Sequence, residues 1–377
     1  MKQYLENMRR ILETGYSHPA RTASDRISAF GLTEVYNLQE GFPLVTTRHI
    51  PFKTMVKELL WFIAGGTNIT DAIAPKKIWD LWAVDHETVG GFLDQVVDAE
   101  LEKHRGETEV TQAMRDELRS ALDKQMQESA QKCIGSIGSM YGAVWRNAPN
   151  RHGIDAAHLI RPIEQLPSDK LANWLKEYEE YCYLSQTKPE GGFEKFAQVK
   201  YLESYDQLNE LLCNLKDNPH SSRHMVTAFL PDNVPPESMN PRMAALQGFG
   251  SLAPCHPFFQ CFVRHVGGDK YLDLQMYQRS ADYPVGRPYN IAQYALLTHL
   301  LAHCTGMKAG VLSLPVGDAH VYVNQVQKLK EQLLREPFAL PTIHINPDVT
   351  DLFIFKPDDI ELHNYQHHEK IDYEVSQ

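Results

Sequence analysis

Cys255 and Arg279 are the residues whose types and spacing point most directly to chemistry. Cys255 precedes a predicted strand over residues 256–265, and Arg279 ends a second predicted strand over residues 270–279, where apolar and polar residues alternate. The Gly-Gly-Asp turn between these strands predicts a hairpin that brings the two residues together. A guanidinium beside a thiol favours the thiolate, which attacks electron-poor carbon atoms. The alternative is that Cys255 is a small buried core residue, which is the commoner role of a free cysteine.

The residues around this pair resemble the catalytic core of the thymidylate synthase family. Three runs carry the resemblance: Pro254-Cys255-His256, Tyr277-Gln278-Arg279-Ser280-Ala281-Asp282 and Pro288-Tyr289-Asn290-Ile291-Ala292-Gln293-Tyr294. The similarity extends through most of residues 1–82, 134–146 and 206–377. It implies an α+β fold, with helices packed on a mixed β-sheet, in a single catalytic domain that spans residues 1–377.

The implied reaction transfers one carbon from 5,10-methylenetetrahydrofolate, the co-substrate, to C5 of dUMP. C5 of uracil is a poor nucleophile, and addition of a thiolate at C6 makes it a competent one. By this resemblance Cys255 is the nucleophile, and Arg279 both lowers its pKa and binds phosphate. Glu58 and Tyr141 are expected to manage protons through water, which the neighbouring His256 would organise.

The resemblance also implies a nucleotide site and a homodimer. Arg223 matches one of two consecutive arginines that the family donates from the neighbouring subunit. The other position holds Ser222, and Arg287, at a position that is usually not basic, is a candidate replacement. The expected substrate ligands are Arg21, Arg223, Gln278, Arg279, Ser280, Asn290, His320 and Tyr322.

Asn290 is expected to recognise the base. Its amide can donate to O4 and accept from N3–H of uracil, whereas a carboxylate there would suit the amino group of cytosine. The alternative role is that of a helix N-cap, which asparagine often fills. The neighbouring residues match the family, so dUMP is preferred over dCMP as the substrate.

The folate side is where the sequence departs from the family pattern. The expected folate ligands are Trp79, Trp82, Leu252, Asp282 and Gly286. Departures fall at residues 48–51, 65–67, 282–286 and in the tail from residue 364 onwards. The histidines at 363, 367 and 368 lack the spacing of paired metal ligands, so no metal is predicted.

These departures leave the product open between two alternatives. Methylation to dTMP and dihydrofolate needs a hydride from the folate while water is excluded by a closing tail. A dUMP hydroxymethylase, which gives 5-hydroxymethyl-dUMP and tetrahydrofolate, would show the same changes. Methylation is the preferred interpretation. An inactive paralogue that binds nucleotide or RNA is a remote alternative, because the residues of the chemistry are present.

The elements that must position these residues follow from periodicity. Helices are predicted over residues 4–12, 52–63, 110–131, 206–215 and 290–304, and another is predicted to begin at 317. Strands are predicted over 28–38, 44–47, 225–230 and 311–315. Two stretches, at about 84–133 and 147–204, match no family pattern and are interpreted as helical insertions.

Composition limits the class of protein. The net charge of −11 makes nucleic acid an unlikely partner. Six cysteines without CxxC pairs favour a reducing compartment. No run of 18 apolar residues is present, so no membrane partner is expected. Met1 opens directly into a helical pattern, so no signal peptide is expected, and the location expected is the cytoplasm, or the host cytoplasm for a viral protein.

Overall fold

The chain is divided into two compact units. A computed structural model describes residues 1–19, 24–103, 111–149 and 161–375. The sheet unit comprises Met1–Gly65, Val144–Ala228 and Cys255–Gln377, and the helical unit comprises Gly66–Ala143 and Phe229–Pro254. The single catalytic domain expected from the sequence remains a prediction.

The strands of the described chain form a mixed sheet and two small ribbons. They are β1 (Tyr16–His18), β2 (Arg26–Asn37), β3 (Ala148–Pro149), β4 (Ser204–Tyr205), β5 (Met225–Thr227), β6 (Phe258–Val266), β7 (Asp269–Asp282), β8 (Lys308–Tyr322), β9 (Thr342–Ile345) and β10 (Ile360–His363). Six of them form the main sheet in the order β1-β2-β8-β7-β6-β5, while β3 pairs with β4 and β9 with β10. Within the main sheet β7 and β8 run parallel, and the other neighbours run antiparallel.

Helices occur in both units. They are α1 (Lys2–Thr14), α2 (Phe52–Ile63), α3 (Lys76–Trp79), α4 (His86–Lys103), α5 (Gln112–Cys133), α6 (Gly142–Arg146), α7 (Ser168–Ser185), α8 (Gly192–Glu203), α9 (Gln207–Asp217), α10 (Pro241–Leu246), α11 (Arg287–Cys304) and α12 (Val326–Leu333). Helix α11 is buried on nearly all sides and contacts β7, β8 and α2, as expected of a helix that is apolar around its circumference. The mixed sheet with packed helices confirms the predicted α+β fold.

Two predicted elements are wrong. The strand predicted over residues 44–47 does not form, because backbone groups of this segment bond to the C-terminal tail: Tyr365 Oη donates to Val45 O, and His368 N donates to Thr46 O. The helix predicted to begin at Gly317 is instead the second half of β8. That strand is paired on both sides, with β2 and with β7, so tertiary pairing overrides the local signal.

Both predicted insertions contain helices. In the helical unit α4 and α5 lie side by side, and Arg119 on α5 contacts the carbonyl of Gly90 and the carboxylate of Asp94 on α4. In the sheet unit α7 is anchored by the buried Arg146, whose guanidinium donates to Asp169 and Asp206 at 2.9–3.0 Å. In each stretch a charged residue thus joins neighbouring helices or loops through an ion pair.

Two further observations concern the helices and the cysteines. None of the helices in the described ranges is both long and apolar enough to span a bilayer. The structure describes all six cysteines and joins none of them in a disulfide.

Candidate active site

The hairpin predicted from the sequence brings Cys255 beside Arg279. Strands β6 and β7 pair antiparallel from Phe258 opposite Tyr277 to the turn at Gly267. Beyond the end of the ladder, the backbone N–H of Arg279 donates to the carbonyl of Cys255 at 2.8 Å. The sulfur and the guanidinium are thus carried on two backbone segments that are bonded directly to each other.

The electrostatics at Cys255 have two opposing contributions. Burial raises the pKa of its thiol, and the positive charge of Arg279 lowers it. Burial is the larger effect, so the thiol pKa lies above its ordinary value. The predicted role of Arg279 therefore has the correct sign but does not by itself produce a thiolate.

His256 is buried and neutral. Its Nδ1 lies 2.7 Å from the hydroxyl of Tyr294 on α11. Burial lowers the pKa of His256 to about 3, so the ring carries no charge near neutral pH. A neutral imidazole held by a buried hydroxyl can orient water, as predicted, but cannot supply a positive charge to the thiolate.

Glu58 lies on α2 with only 6% of its surface exposed. The side-chain amide of Gln293 on α11 donates to its carboxylate. This contact was not predicted. The sequence does carry one signal for Gln293 as a residue of the site. It follows Asn290 by three residues, so the two side chains lie on the same face of the helix.

Asn290 lies in the first turn of α11 and is not the N-cap, because the helix begins at Arg287 with Gly286 as its N-cap. Its Oδ1 accepts a hydrogen bond of 2.9 Å from Nε2 of Gln278 on β7. Its side chain is half-buried. The N-cap alternative is therefore wrong, and the amide is left with one end fixed by Gln278.

Arg287 does not replace the arginine that is missing at Ser222. It is fully buried, and its Nε and Nη2 donate to Oε2 of Glu34 on β2 at 3.1 and 3.0 Å. Its Nη1 donates to Oε1 of Gln278 at 2.6 Å. A guanidinium committed to these partners inside the core cannot serve as a surface ligand of phosphate.

The parallel pairing of β7 with β8 aligns the predicted ligands Ser280, Asp282 and His320. Ser280 lies opposite Asp318, and Asp282 lies opposite His320. The ring of His320 lies 5.2 Å from that of Tyr322, and its Nδ1 lies 3.5 Å from the carboxylate of Asp318. The members of each cross-strand pair are 38 positions apart in sequence, so the sheet register places them together.

Asp282 is linked to the C-terminal tail through Gln325. Its Oδ1 accepts from the backbone N–H of Val285, and its Oδ2 accepts from Nε2 of Gln325, each at 3.1 Å. The same Nε2 donates to the carbonyl of Glu374 at 2.9 Å. Burial raises the pKa of Asp282. Gln325 was not predicted, and it connects the expected folate carboxylate to the segment expected to close over it.

Three predicted folate residues, Trp79, Trp82 and Leu252, lie in the helical unit. Trp79 packs against Trp82 and Tyr141 with ring centroids 5.8 and 6.2 Å apart. Tyr141 has a φ of +34°, a left-handed conformation that is rare for a bulky side chain and is found where the surrounding structure holds it. The half-buried Leu252 belongs to the same unit.

Arg21 and Arg223 are the two predicted phosphate ligands that remain. Arg21 lies outside the described residues. Arg223 is exposed immediately before β5, the edge strand of the main sheet. Among the described residues, no group of three or more His, Cys, Asp or Glu side chains is placed to hold a metal ion.

Comparison with known proteins places this geometry in a family. The model of the family described as thymidylate synthase matches residues 2–377. Thymidylate synthases of Listeria innocua serovar 6a and Listeria monocytogenes serovar 1/2a are each 33% identical over 370 residues, which is 97% of this chain and 96% of theirs. The chain therefore belongs to the thymidylate synthase family.

Proposed function

We propose that the protein transfers a one-carbon unit from 5,10-methylenetetrahydrofolate to C5 of dUMP and releases dTMP and dihydrofolate. The observation that carries this proposal is the backbone hydrogen bond that holds Cys255 beside Arg279. The amide of Asn290 and the carboxylate of Glu58 belong to the same sheet unit. The reaction requires four groups: a nucleophile, a cation beside it, an amide that hydrogen-bonds the edge of the pyrimidine, and a group that carries protons.

The first step is addition of the Cys255 thiolate to C6 of uracil. The S–C6 bond forms, and the C5–C6 π electrons move towards O4, which leaves C5 nucleophilic. Because burial raises the pKa of the Cys255 thiol, Arg279 supplies the positive charge that favours its ionisation. Arg279 and Ser280, at the end of β7, would bind the nucleotide phosphate together with Arg21 and Arg223.

Recognition of the base falls to Asn290, and that of the ribose to residues of β8. Oδ1 of Asn290 accepts from Gln278, so Nδ2 is the end that donates to O4, while the second lone pair of Oδ1 accepts from N3–H. His320 and Tyr322, whose rings touch, would hydrogen-bond the ribose hydroxyl.

Proton transfers follow the formation of the new carbon–carbon bond. The folate supplies a one-carbon unit and then a hydride. Between these events the C5 proton leaves and the bond from the new carbon to the folate nitrogen breaks, which gives an exocyclic methylene at C5. The hydride then adds to this methylene, the C5=C6 double bond re-forms, and the sulfur is expelled from C6. Glu58, fixed by Gln293, and Tyr141 would accept and return protons through water, which the neutral His256 orients.

The resemblance assigns the folate a carboxylate in the sheet unit and an aromatic surface in the helical unit. Asp282 presents a buried carboxylate with acceptor capacity beyond its two observed donors. Trp79 and Trp82 form an aromatic surface of the kind on which a planar pterin ring stacks. Gly286, the N-cap of α11, lies four residues from Asp282 and is the proposed point of close approach to the ring.

The packing of the C-terminal tail favours methylation over hydroxymethylation. Water is the competing nucleophile before the hydride is delivered, so exclusion of water decides the product. The hydroxyl of Tyr365 donates to Val45 O at 2.7 Å, and Gln325 joins Glu374 O to Asp282. A tail bonded to the sheet unit at both places is suited to exclude water.

A homodimer is the proposed assembly. Residues that alternate with buried ones along β2 and β6 are exposed, including Val35 at 49% and Phe262 at 57%. Apolar side chains on one face of a sheet indicate an interaction surface. Arg223 is exposed at the edge of that sheet, where it could reach a second subunit. Sedimentation of a monomer at micromolar concentration would contradict this assembly.

Product analysis tests the proposed reaction. Purified protein would be incubated with dUMP and 5,10-methylenetetrahydrofolate, and the nucleotides would be separated by mass spectrometry. We expect dTMP, with dihydrofolate absorbance rising in parallel. Formation of 5-hydroxymethyl-dUMP without dihydrofolate would assign the hydroxymethylase reaction, and absence of both products with native protein would refute the proposal.

A further inference from the structure

We infer that the buried Glu34–Arg287 ion pair is a positioning device that fixes which way round the Asn290 amide lies and thereby selects uracil over cytosine. This inference rests on the proposed role of Asn290 in recognising the base. Neither Glu34 nor Arg287 touches the base in this arrangement, so both act through Gln278.

The first link is a cation that can only donate. Glu34 and Arg287 have no exposed side-chain surface, and the guanidinium donates to Oε2 of Glu34 through both Nε and Nη2. Its Nη2 also donates to the carbonyl of Leu314 at 2.8 Å. These contacts hold the guanidinium plane in one orientation, with Nη1 directed at Gln278.

The second link is the amide of Gln278, which is 2% exposed. Because arginine carries no acceptor, the atom that faces Nη1 at 2.6 Å must be the carbonyl oxygen Oε1. The amino group Nε2 then faces the other way and donates to Ser280 O at 3.1 Å and to Asn290 Oδ1 at 2.9 Å. The backbone carbonyl of Ser280 supports the same orientation.

The third link decides the base. Since Nε2 of Gln278 can only donate, Asn290 must present Oδ1 to it, and Nδ2 is directed away from Gln278. An amide in this orientation donates to O4 and accepts from N3–H, which is the edge of uracil. The reversed amide would accept from the N4 amino group and donate to N3, which is the edge of cytosine. The choice between the two bases is therefore a choice between two orientations of one side chain.

Two variants break this relay at different points. Glu34→Leu/Arg287→Leu removes both charges together, so that no lone charge is left buried. Gln278→Met removes the link and leaves the ion pair in place. We expect each to lower the ratio of dUMP to dCMP affinity about tenfold or more, because Asn290 can then adopt both orientations.

The matched control is Arg161→Leu/Glu210→Leu, which removes a mostly buried ion pair between the second insertion and α9. It should change stability without changing the affinity ratio. Dissociation constants for dUMP and dCMP would be measured by titration calorimetry on each folded variant, with circular dichroism to verify the fold. Partial unfolding lowers the concentration of binding-competent protein equally in both titrations, so it does not change the ratio of the two dissociation constants.

The outcomes separate this inference from the proposed function. A wild-type protein that binds neither nucleotide refutes the base-recognising role and the inference with it. If the wild type prefers dUMP and the Gln278→Met variant keeps the ratio of dUMP to dCMP affinity within about twofold of the wild-type ratio, the inference is overturned. The proposed function is unaffected by that result. If Glu34→Leu/Arg287→Leu does not fold, Gln278→Met decides the question by itself.

Discussion

Replacement of Arg287 by Met is expected to destabilise the chain by about 4–5 kcal/mol. Breaking a buried ion pair from one side typically costs about 3–5 kcal/mol, because a charge is left without compensation. The donors that remain near Glu34, Asn7 Nδ2 and Tyr36 Oη, are neutral and lie 3.3 Å away. Gln278 Oε1 also loses its donor, which adds about 1–3 kcal/mol, so the cost falls at the upper end of the range.

Replacing both members should cost far less than replacing one. The variant Glu34→Leu/Arg287→Met leaves no buried charge, and exchange of a buried pair for apolar residues is often neutral. We expect the free energy of unfolding of this variant to lie within about 2 kcal/mol of the wild-type value. Only neutral groups, the donors around Glu34 and the carbonyl oxygen of Gln278, lose partners. The difference between the single and the double variant measures the coupling within the pair.

Equilibrium urea unfolding, followed by tryptophan fluorescence, measures these free energies. The protein concentration must be held constant, because the stability of an oligomer depends on it, and an unchanged m-value would show that the folded state is retained. Arg264→Met is the control, since the Arg264–Asp273 pair is partly exposed and should contribute at most about 1 kcal/mol. A cost below about 1 kcal/mol for Arg287→Met, or an equal cost for the double variant, would refute the reasoning.

Four further predictions concern the reaction itself. Cys255→Ser should lower kcat by about 10³-fold or more while dUMP binding stays measurable by calorimetry; a fully active variant would exclude the proposed nucleophile. Because Arg279 lowers the pKa of the Cys255 thiol, Arg279→Gln should move the rise of Cys255 alkylation by iodoacetamide to higher pH, and an unmoved profile contradicts this. Gly286 has ordinary room for a methyl group within the fold, so Gly286→Ala should raise the KM for folate and leave dUMP binding intact; an unaltered KM removes Gly286 from the folate site. Gln325→Leu breaks the link from the tail to Asp282, so mass spectrometry should show more 5-hydroxymethyl-dUMP, and an unchanged product ratio would argue that the tail is held elsewhere.

Local pattern predicted the elements whose surroundings are simple. Helix α2 has the predicted bounds because its apolar residues recur at helical spacing, and the β6–β7 hairpin follows from alternation and a glycine turn. The strand expected at residues 44–47 failed because its backbone groups bond to a tail some 320 residues away in the chain. The second half of β8 was mistaken for a helix because pairing with two distant strands does not appear in local periodicity.

The amino-acid sequence predicts the proposed chemistry, through a cysteine followed at hairpin distance by an arginine and an asparagine in a run typical of one family. The partners that hold these groups are seen in the tertiary contacts. Three contacts join residues up to 253 positions apart in the chain. They are Gln293 with Glu58, Gln325 with Asp282 and the tail, and Arg287 with Glu34 and Gln278. The sequence makes Arg287 a candidate replacement for the arginine missing at Ser222, because its charge is visible there, whereas its burial depends on Glu34 of a distant strand. A buried charge is stable only beside its partner, and which residues become partners is fixed by packing.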